Sequence, residues 1–318
     1  MNAYHHLKKS VIKLIKKTHH LRKFFLPTIF AALLFVGYTI HLSLLAFIHA
    51  ETIHTPSFSL PDPAPYPLLT EKVAPAISSE AALVMDADSQ VIIYSKNPRL
   101  RFSPASTTKL MTALTAFQYF HPMDVLEIKS SNVEPVIVGF KEGQKVRFSD
   151  MLYGMLVPSG NDAALAISQN YPGGESAFVA QMNRNARFFH LFNTHYGDPI
   201  GLTDDSDYTT VVDLARLATI ALTNPTLKRI FATKYATIST LDGTTFPLEN
   251  TNLLLGEDGV TGVKTGYTEG AREVLVSSVA RGTHTFIIVV MRSDDRFADT
   301  KTLIHDIVDH VTFVPIHF

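Results

Sequence analysis

From Phe24 to Ile48 the chain reads FFLPTIFAALLFVGYTIHLSLLAFI and contains no Asp, Glu, Lys or Arg. About 20 apolar residues cross a bilayer, whereas a cleavable leader has an apolar core of only about 7–15. The flanks are asymmetric. Lys8, Lys9, Lys13, Lys16, Lys17, Arg22 and Lys23 precede the segment, and the first acid, Glu51, follows it. The positive-inside rule then puts the N-terminus in the cytoplasm and everything after Glu51 outside. The expectation is an uncleaved, single-pass signal-anchor over 24–49 in the plasma membrane. The competing reading is export with cleavage near Ala50, where Ile48 is a poor residue at −3. His41 inside the segment reads as a neutral histidine tolerated by a single span. The pairs His5-His6 and His19-His20 read as part of a cationic tail (1–23) that meets anionic headgroups.

Beyond the segment, ETIHTPSFSLPDPAPYPLL carries Pro56, Pro61, Pro63, Pro65 and Pro67. Their spacing argues against helix and ladder pairing, so 50–75 is expected to be a polyproline-like spacer or a disordered joint, with the folded domain at 76–318. The tail conceals how acidic the rest of the chain is. Taking its seven cations from 28 basic residues leaves 21 against 29 acidic ones, a net charge of −8, which offers nucleic acid no general attraction. The chain has no cysteine, which excludes disulfides, thiolate metal sites and a cysteine nucleophile. No cofactor and no metal is expected from the residue pattern.

Ala81–Asp86 and Val91–Ser95 read as two strands joined by Ala87-Asp88-Ser89-Gln90. Leu110, Leu114 and Phe117 then recur at helical spacing behind Pro104. A second helix is expected from Ser149, as N-cap, to Pro158. Further helices are expected over Ala163–Gln169, Ser176–Phe189 and Val212–Ala221. VTGVKTGYT, EVLVSSVA and THTFIIVVM return to strand character, and Phe297–Val308 closes as a helix. Strands, then helices, then strands describe an α/β chain of the α+β type, with one sheet whose halves flank a helical insertion.

Three polar clusters punctuate this frame. In Ser106-Thr107-Thr108-Lys109, positions i and i+3 share a helix face, so hydroxyl and amine can meet. A serine alcohol needs an adjacent base, and lysine serves once its environment lowers its pKa. In Ser159-Gly160-Asn161, glycine permits a turn that presents a hydroxyl and an amide to one side. In Lys264-Thr265-Gly266, within a β-prone run, glycine leaves room for a ligand backbone along a strand edge. Each cluster alone is a common pattern: a capped helix, a turn, an edge strand with a charged blocker. Their order is informative.

Ser-x-x-Lys, Ser-x-Asn and Lys-Thr-Gly in that order resemble the motif set of penicillin-binding proteins and serine β-lactamases. SPASTTKLMTAL, DMLYGMLVPSGNDAALA, FVAQMNRNA, YTTVVDLARLA, NTNLLL, GVTGVKTGYT and RFADTKTL narrow the resemblance to the low-molecular-weight D-alanyl-D-alanine carboxypeptidases, over roughly residues 76–310. The resemblance implies the DD-peptidase/β-lactamase-like fold, an antiparallel sheet flanked by helices with a helical subdomain. It makes Ser106 the nucleophile and Lys109 its base, with Ser159 on the proton path. Asn161, Lys264, Thr265, Gly266 and Tyr267 then line the substrate, the N–H groups of Ser106 and Tyr267 form the oxyanion hole, and Arg296 binds a terminal carboxylate. The implied partners are peptidoglycan stem peptides and, as covalent inhibitors, β-lactams.

The chain departs from the family at Ala271-Arg272, where Ala-Gly is usual, and at Phe189-His190-Leu191, where Leu-Gly-Met is usual. It also ends at Phe318, without the extra C-terminal domain and amphipathic helix of many members, so the N-terminal span is expected to supply the anchor. The expected reaction is removal of the terminal D-Ala through an acyl-enzyme. DD-endopeptidase action on cross-links and a non-enzymatic, membrane-bound β-lactam sensor are the alternatives. A class A β-lactamase needs a downstream glutamate, and HLFNTHYGDPIGL has none.

Overall fold

The computed structural model describes residues 25, 27–45, 64–71, 73–130 and 137–315. The chain divides into two compact units, Met1–Asp62 and Pro63–Phe318. In the first, α1 (Pro27–Leu45) is the one helix among the described residues long and apolar enough to cross a membrane. Its Phe30, Leu33, Leu34 and Phe35 are all exposed. The basic tail, Ala50 and Glu51 lie outside the described residues.

The second unit begins with β1 (Tyr66–Leu69), β2 (Ala81–Asp86) and β3 (Ile92–Lys96). A 3₁₀ turn (Ala105–Thr108) leads into α2 (Lys109–Phe117), followed by β4 (Val125–Glu127), β5 (Lys145–Arg147), α3 (Phe148–Leu156), α4 (Asn161–Asn170) and α5 (Gly174–Phe188). Next come α6 (Val211–Leu222), α7 (Pro225–Phe231) and the hairpin β6 (Tyr235–Ser239) and β7 (Thr245–Glu249). The chain closes with β8 (Val260–Thr268), β9 (Arg272–Arg281), β10 (His284–Ser293), α8 (Arg296–Asp306) and β11 (Val311–Val314).

The main sheet has five strands in the order β3-β2-β10-β9-β8, with every pair antiparallel. Both of its faces are covered, which explains why its central strands are unbroken apolar runs rather than alternating ones. Leu83, Met85, Val274, Val276, Ile287 and Val289 face the larger core shared with the helical insertion. Their neighbours Ala82, Val84, Leu275, Ile288 and Val290 face a second core closed by Leu303, Ile304 and Ile307. Helix α2 lies between the insertion and the sheet, buried on nearly every side. Its threonines therefore need internal acceptors and partners: Thr112 donates to the Pro199 carbonyl (2.6 Å), and Thr115 accepts from Asn185 (3.0 Å).

Two sequence expectations are corrected. Ser149 is not an N-cap, because α3 starts at Phe148 behind extended Arg147 with no side-chain cap. The N–H groups of Phe148 and Ser149 instead donate to the carbonyls of Asp124 (2.8 Å) and Pro122 (3.0 Å), so the first turn has no need of one. Pro67 does pair, in β1, opposite Phe313 of β11. A two-stranded ribbon consists of edges, where a proline can turn its missing donor away from the ladder. Pro56, Pro61 and Pro63 lie outside the described residues.

The Phe189-His190-Leu191 departure has a local cost. Helix α5 ends in a Schellman motif: Leu191 N–H reaches Ala186 O (2.8 Å), His190 N–H reaches Arg187 O (3.1 Å), and His190 has φ 59°. Glycine is the residue that adopts this left-handed conformation without strain. His190→Gly is therefore expected to stabilise the fold by about 0.5–1 kcal/mol, a rise of about 2–4 °C in melting midpoint, read by thermal denaturation followed by circular dichroism.

Candidate active site

Three elements of different origin converge at Lys109. Its Nζ lies 2.8 Å from Ser106 Oγ and donates to Asn161 Oδ1 at the start of α4 (2.8 Å) and to the carbonyl of Ile200 (3.2 Å). The 3₁₀ turn holds Ser106 partly open to solvent while Lys109 is fully buried one turn later. Burial drives the Lys109 amine down to about 7, and the negative charges of Asp198 and Asp162 offset only part of that effect. A lysine held there is in large part a neutral amine at physiological pH, with its lone pair available to the hydroxyl that it touches.

Ser159 occupies a left-handed turn (φ 69°) ahead of α4 and is 6% exposed, beside the cluster, although Lys109 does not bond its hydroxyl. Gly160 is required by space: a Cβ there would lie 2.6 Å from Val138 Cγ2 and 2.7 Å from the Gly154 carbonyl. Asp162, one residue past Asn161, accepts the N–H groups of Val138 (2.9 Å), Gly139 (3.0 Å) and Phe140 (3.2 Å) and so ties that loop to α4.

Strand β8 forms an edge of the main sheet and lies against the Ser106 turn. A Cβ on Gly266 would sit 3.0 Å from Ala105 Cβ and 3.2 Å from Ser106 N, so glycine is what lets the strand approach the serine. Thr265 shares a hydroxyl contact with Thr251 (2.6 Å), and Tyr267 is 62% exposed at the mouth. Lys264 is buried and donates to the Thr265 carbonyl (3.0 Å). Burial first, then the charges of Lys109 and Arg296, push its amine well below the usual lysine range. An anion arriving at this pocket would pull that pKa back up. Arg296, at the start of α8, donates from Nη1 to the Gly266 carbonyl (2.9 Å), and its buried Nε has no hydrogen-bond partner among the described residues.

Arg272 turns to the surface carboxylates Asp294 and Glu80, the latter at 3.7 Å. Asp198 was not anticipated from the sequence. Its carboxylate collects the N–H groups of Ile200 (2.6 Å), Gly201 (2.5 Å), Leu202 (3.0 Å) and Thr203 (2.9 Å), which shapes the loop whose Ile200 carbonyl receives Lys109. The signal was present in Asp-Pro-x-Gly, an Asp that caps a turn by accepting the following amides.

The chain is similar to several known proteins. D-alanyl-D-alanine carboxypeptidase DacF of Bacillus subtilis is 31% identical over 223 residues, 68% of this chain but 57% of that protein, so the match spans little more than half of the relative. A D-alanyl-D-alanine endopeptidase of Pseudomonas aeruginosa is 33% identical over 267 residues, 81% of this chain and 84% of that protein. Among solved structures, the Streptomyces K15 DD-transpeptidase superposes with a TM-score of 0.69 at 29% identity, covering 74% of this chain and 98% of that one. The D-alanyl-D-alanine carboxypeptidase family, Peptidase_S11, matches residues 69–295, and the chain belongs to that family of serine peptidases.

Proposed function

We propose that the chain is a serine D-Ala-D-Ala carboxypeptidase that trims the terminal D-Ala from peptidoglycan stem peptides. The observation that carries this reading is the buried Lys109 amine, lowered to about 7 and 2.8 Å from Ser106 Oγ. In this reading Lys109 takes the Ser106 proton as Oγ attacks the carbonyl of the D-Ala–D-Ala bond. The N–H groups of Ser106 and Tyr267 receive the oxyanion. Ser159 passes a proton to the leaving amine, D-Ala departs, and water hydrolyses the ester. Asn161 holds the substrate amide, and the substrate backbone lies along β8 beside Thr265 and Gly266. β-lactams acylate the same serine.

Lys264 and Arg296 capture the terminal carboxylate. The unpartnered Nε of Arg296 supports this role, as does the depressed Lys264, whose charge is restored by an anion. Arg296→Leu is expected to lower kcat/KM for a pentapeptide stem by about 10–100-fold, with a much smaller effect on the same peptide ending in a carboxamide, measured by D-Ala release. Equal losses on both peptides would remove the carboxylate role.

The helix α1 serves as an uncleaved membrane anchor in this account, with a cationic tail inside. The catalytic domain stands outside, beyond the proline-rich stretch. The length and composition of Pro27–Leu45 support the anchor. The endopeptidase relative supports a second reading, cleavage of D-Ala-containing cross-links. Mass spectrometry of a monomeric pentapeptide and a cross-linked dimer, each incubated with the chain, separates the two. Loss of one alanine from the monomer is the expected result; cleavage of dimers alone would replace carboxypeptidase with endopeptidase.

A further inference from the structure

At the end of the main sheet away from Tyr267, three potential ligands meet. The register runs from Thr268 opposite Arg272 at the active-site end to Val260 opposite Val279, and His284 pairs with Arg281 beyond it. Asp86 ends β2, Asp88 lies in the following turn and His284 opens β10. One ligand atom from each lies within 4.8 Å of the others, the one such cluster among the described residues. Asp86 is fully buried. Its Oδ2 accepts from the Ser89 N–H (2.8 Å) and the Ser89 hydroxyl (2.5 Å). Its Oδ1 has neither solvent nor a hydrogen-bond partner among the described residues.

A hairpin turn needs only the Ser89 contacts, so the orphaned oxygen calls for something more. Buried carboxylate oxygens without donors are rare because burial removes their water without replacing it, and a bound cation is one of the few things that satisfies them. The neighbouring groups suit one. Asp88 is exposed and can swing to a ligand. The His284 ring is stacked on Phe313, with centroids 3.4 Å apart and planes 4° from parallel, so its plane is set by packing. Asp88 also lines a cavity of about 260 Å³ with Ala87, Thr285 and Lys228, so this ligand is reached from solvent.

We propose that Asp86, Asp88 and His284 form a divalent transition-metal site that ties the β2–β3 turn to the start of β10. Two carboxylates and one imidazole are a borderline donor set that suits Zn²⁺ or Mn²⁺, whereas Ca²⁺ and Mg²⁺ favour oxygen alone. A cation here staples two turns that are otherwise joined by strand pairing and by the bond from the Ala87 N–H to the Thr285 carbonyl (2.8 Å). It acts on the stability of the sheet, at the end remote from Ser106.

The test is calorimetric titration of the chelator-treated, detergent-solubilised full chain with ZnCl₂, comparing wild type with Asp88→Asn and His284→Gln. Neither side chain is fully buried, and circular dichroism verifies that both variants fold. Any zinc taken up by the N-terminal histidine pairs is common to all three proteins, so the reading is a difference. Each substitution should remove one equivalent, or weaken it at least about tenfold, and should shrink the zinc-induced rise in melting midpoint. Stoichiometry, affinity and midpoint unchanged in both variants would overturn the site.

Discussion

Lys109→Ala is expected to slow acylation by a β-lactam or a D-Ala-D-Ala peptide by about 10²–10⁴-fold, the range for loss of a positioned base. The pH profile makes the test specific. The neutral amine is the active form and its pKa is held near 7, so wild-type acylation should climb as pH rises through about 7 and level off above it. In Lys109→Ala that inflection should vanish. A variant that slows but keeps the inflection would transfer the base role elsewhere. Stopped-flow acylation with a fluorescent penicillin, on protein shown by circular dichroism to be folded, reads both quantities. The substitution also leaves Asn161 Oδ1 and the Ile200 carbonyl without the Lys109 amine, so a fall in stability is expected beside the kinetic loss.

Gly201→Ala should be nearly as damaging although it removes no polar group. Gly201 has φ +89°, and an added Cβ would fall 1.9 Å from the carbonyl oxygen of Ala105, the residue before Ser106. Backbone cannot yield there without moving the serine. The expected outcome is a loss of about 2–4 kcal/mol of stability, together with slower acylation in the molecules that remain folded. Gly243→Ala provides the control: its φ is +88° but nothing lies within 4 Å of the new Cβ. Backbone strain alone, about 1 kcal/mol, should appear there and acylation should be untouched. Equal effects at the two glycines would mean that the contact between the Asp198 loop and the Ser106 turn is unimportant.

Legibility from sequence followed the physics of each element. β8 matches VTGVKTGYT residue for residue, because turn-forming residues bound a β-prone run on both sides. The Ser106–Lys109 contact follows from spacing within four residues, which helical geometry determines. The convergence of Asn161 and Lys264 on those two depends on tertiary packing, and only the order of motifs pointed to it. Helix α7 went unassigned even though Asn224 caps it by accepting Thr226 and Leu227 N–H, with Pro225 at its first position. The β6–β7 hairpin went unassigned because its strands are half exposed and rich in threonine, which left Asp242-Gly243 as the main signal. Strand β1 could not be found at all, since its partner β11 lies at the other end of the chain and Pro67 argues against pairing. Asp198 acts through the backbone amides that follow it, so its Asp-Pro-x-Gly pattern reads as a turn and gives no sign that the turn shapes the site.

The central claim is an acyl-enzyme on Ser106, and peptide mapping of the β-lactam adduct tests it most directly. The full-length chain is labelled with penicillin, digested and analysed by tandem mass spectrometry, beside Ser106→Ala. The account predicts one adduct, on Oγ of Ser106, and no adduct in the variant, together with a loss of D-Ala release of at least about 10⁴-fold. An adduct on another residue, or a variant that still trims the pentapeptide at the wild-type rate, would contradict it.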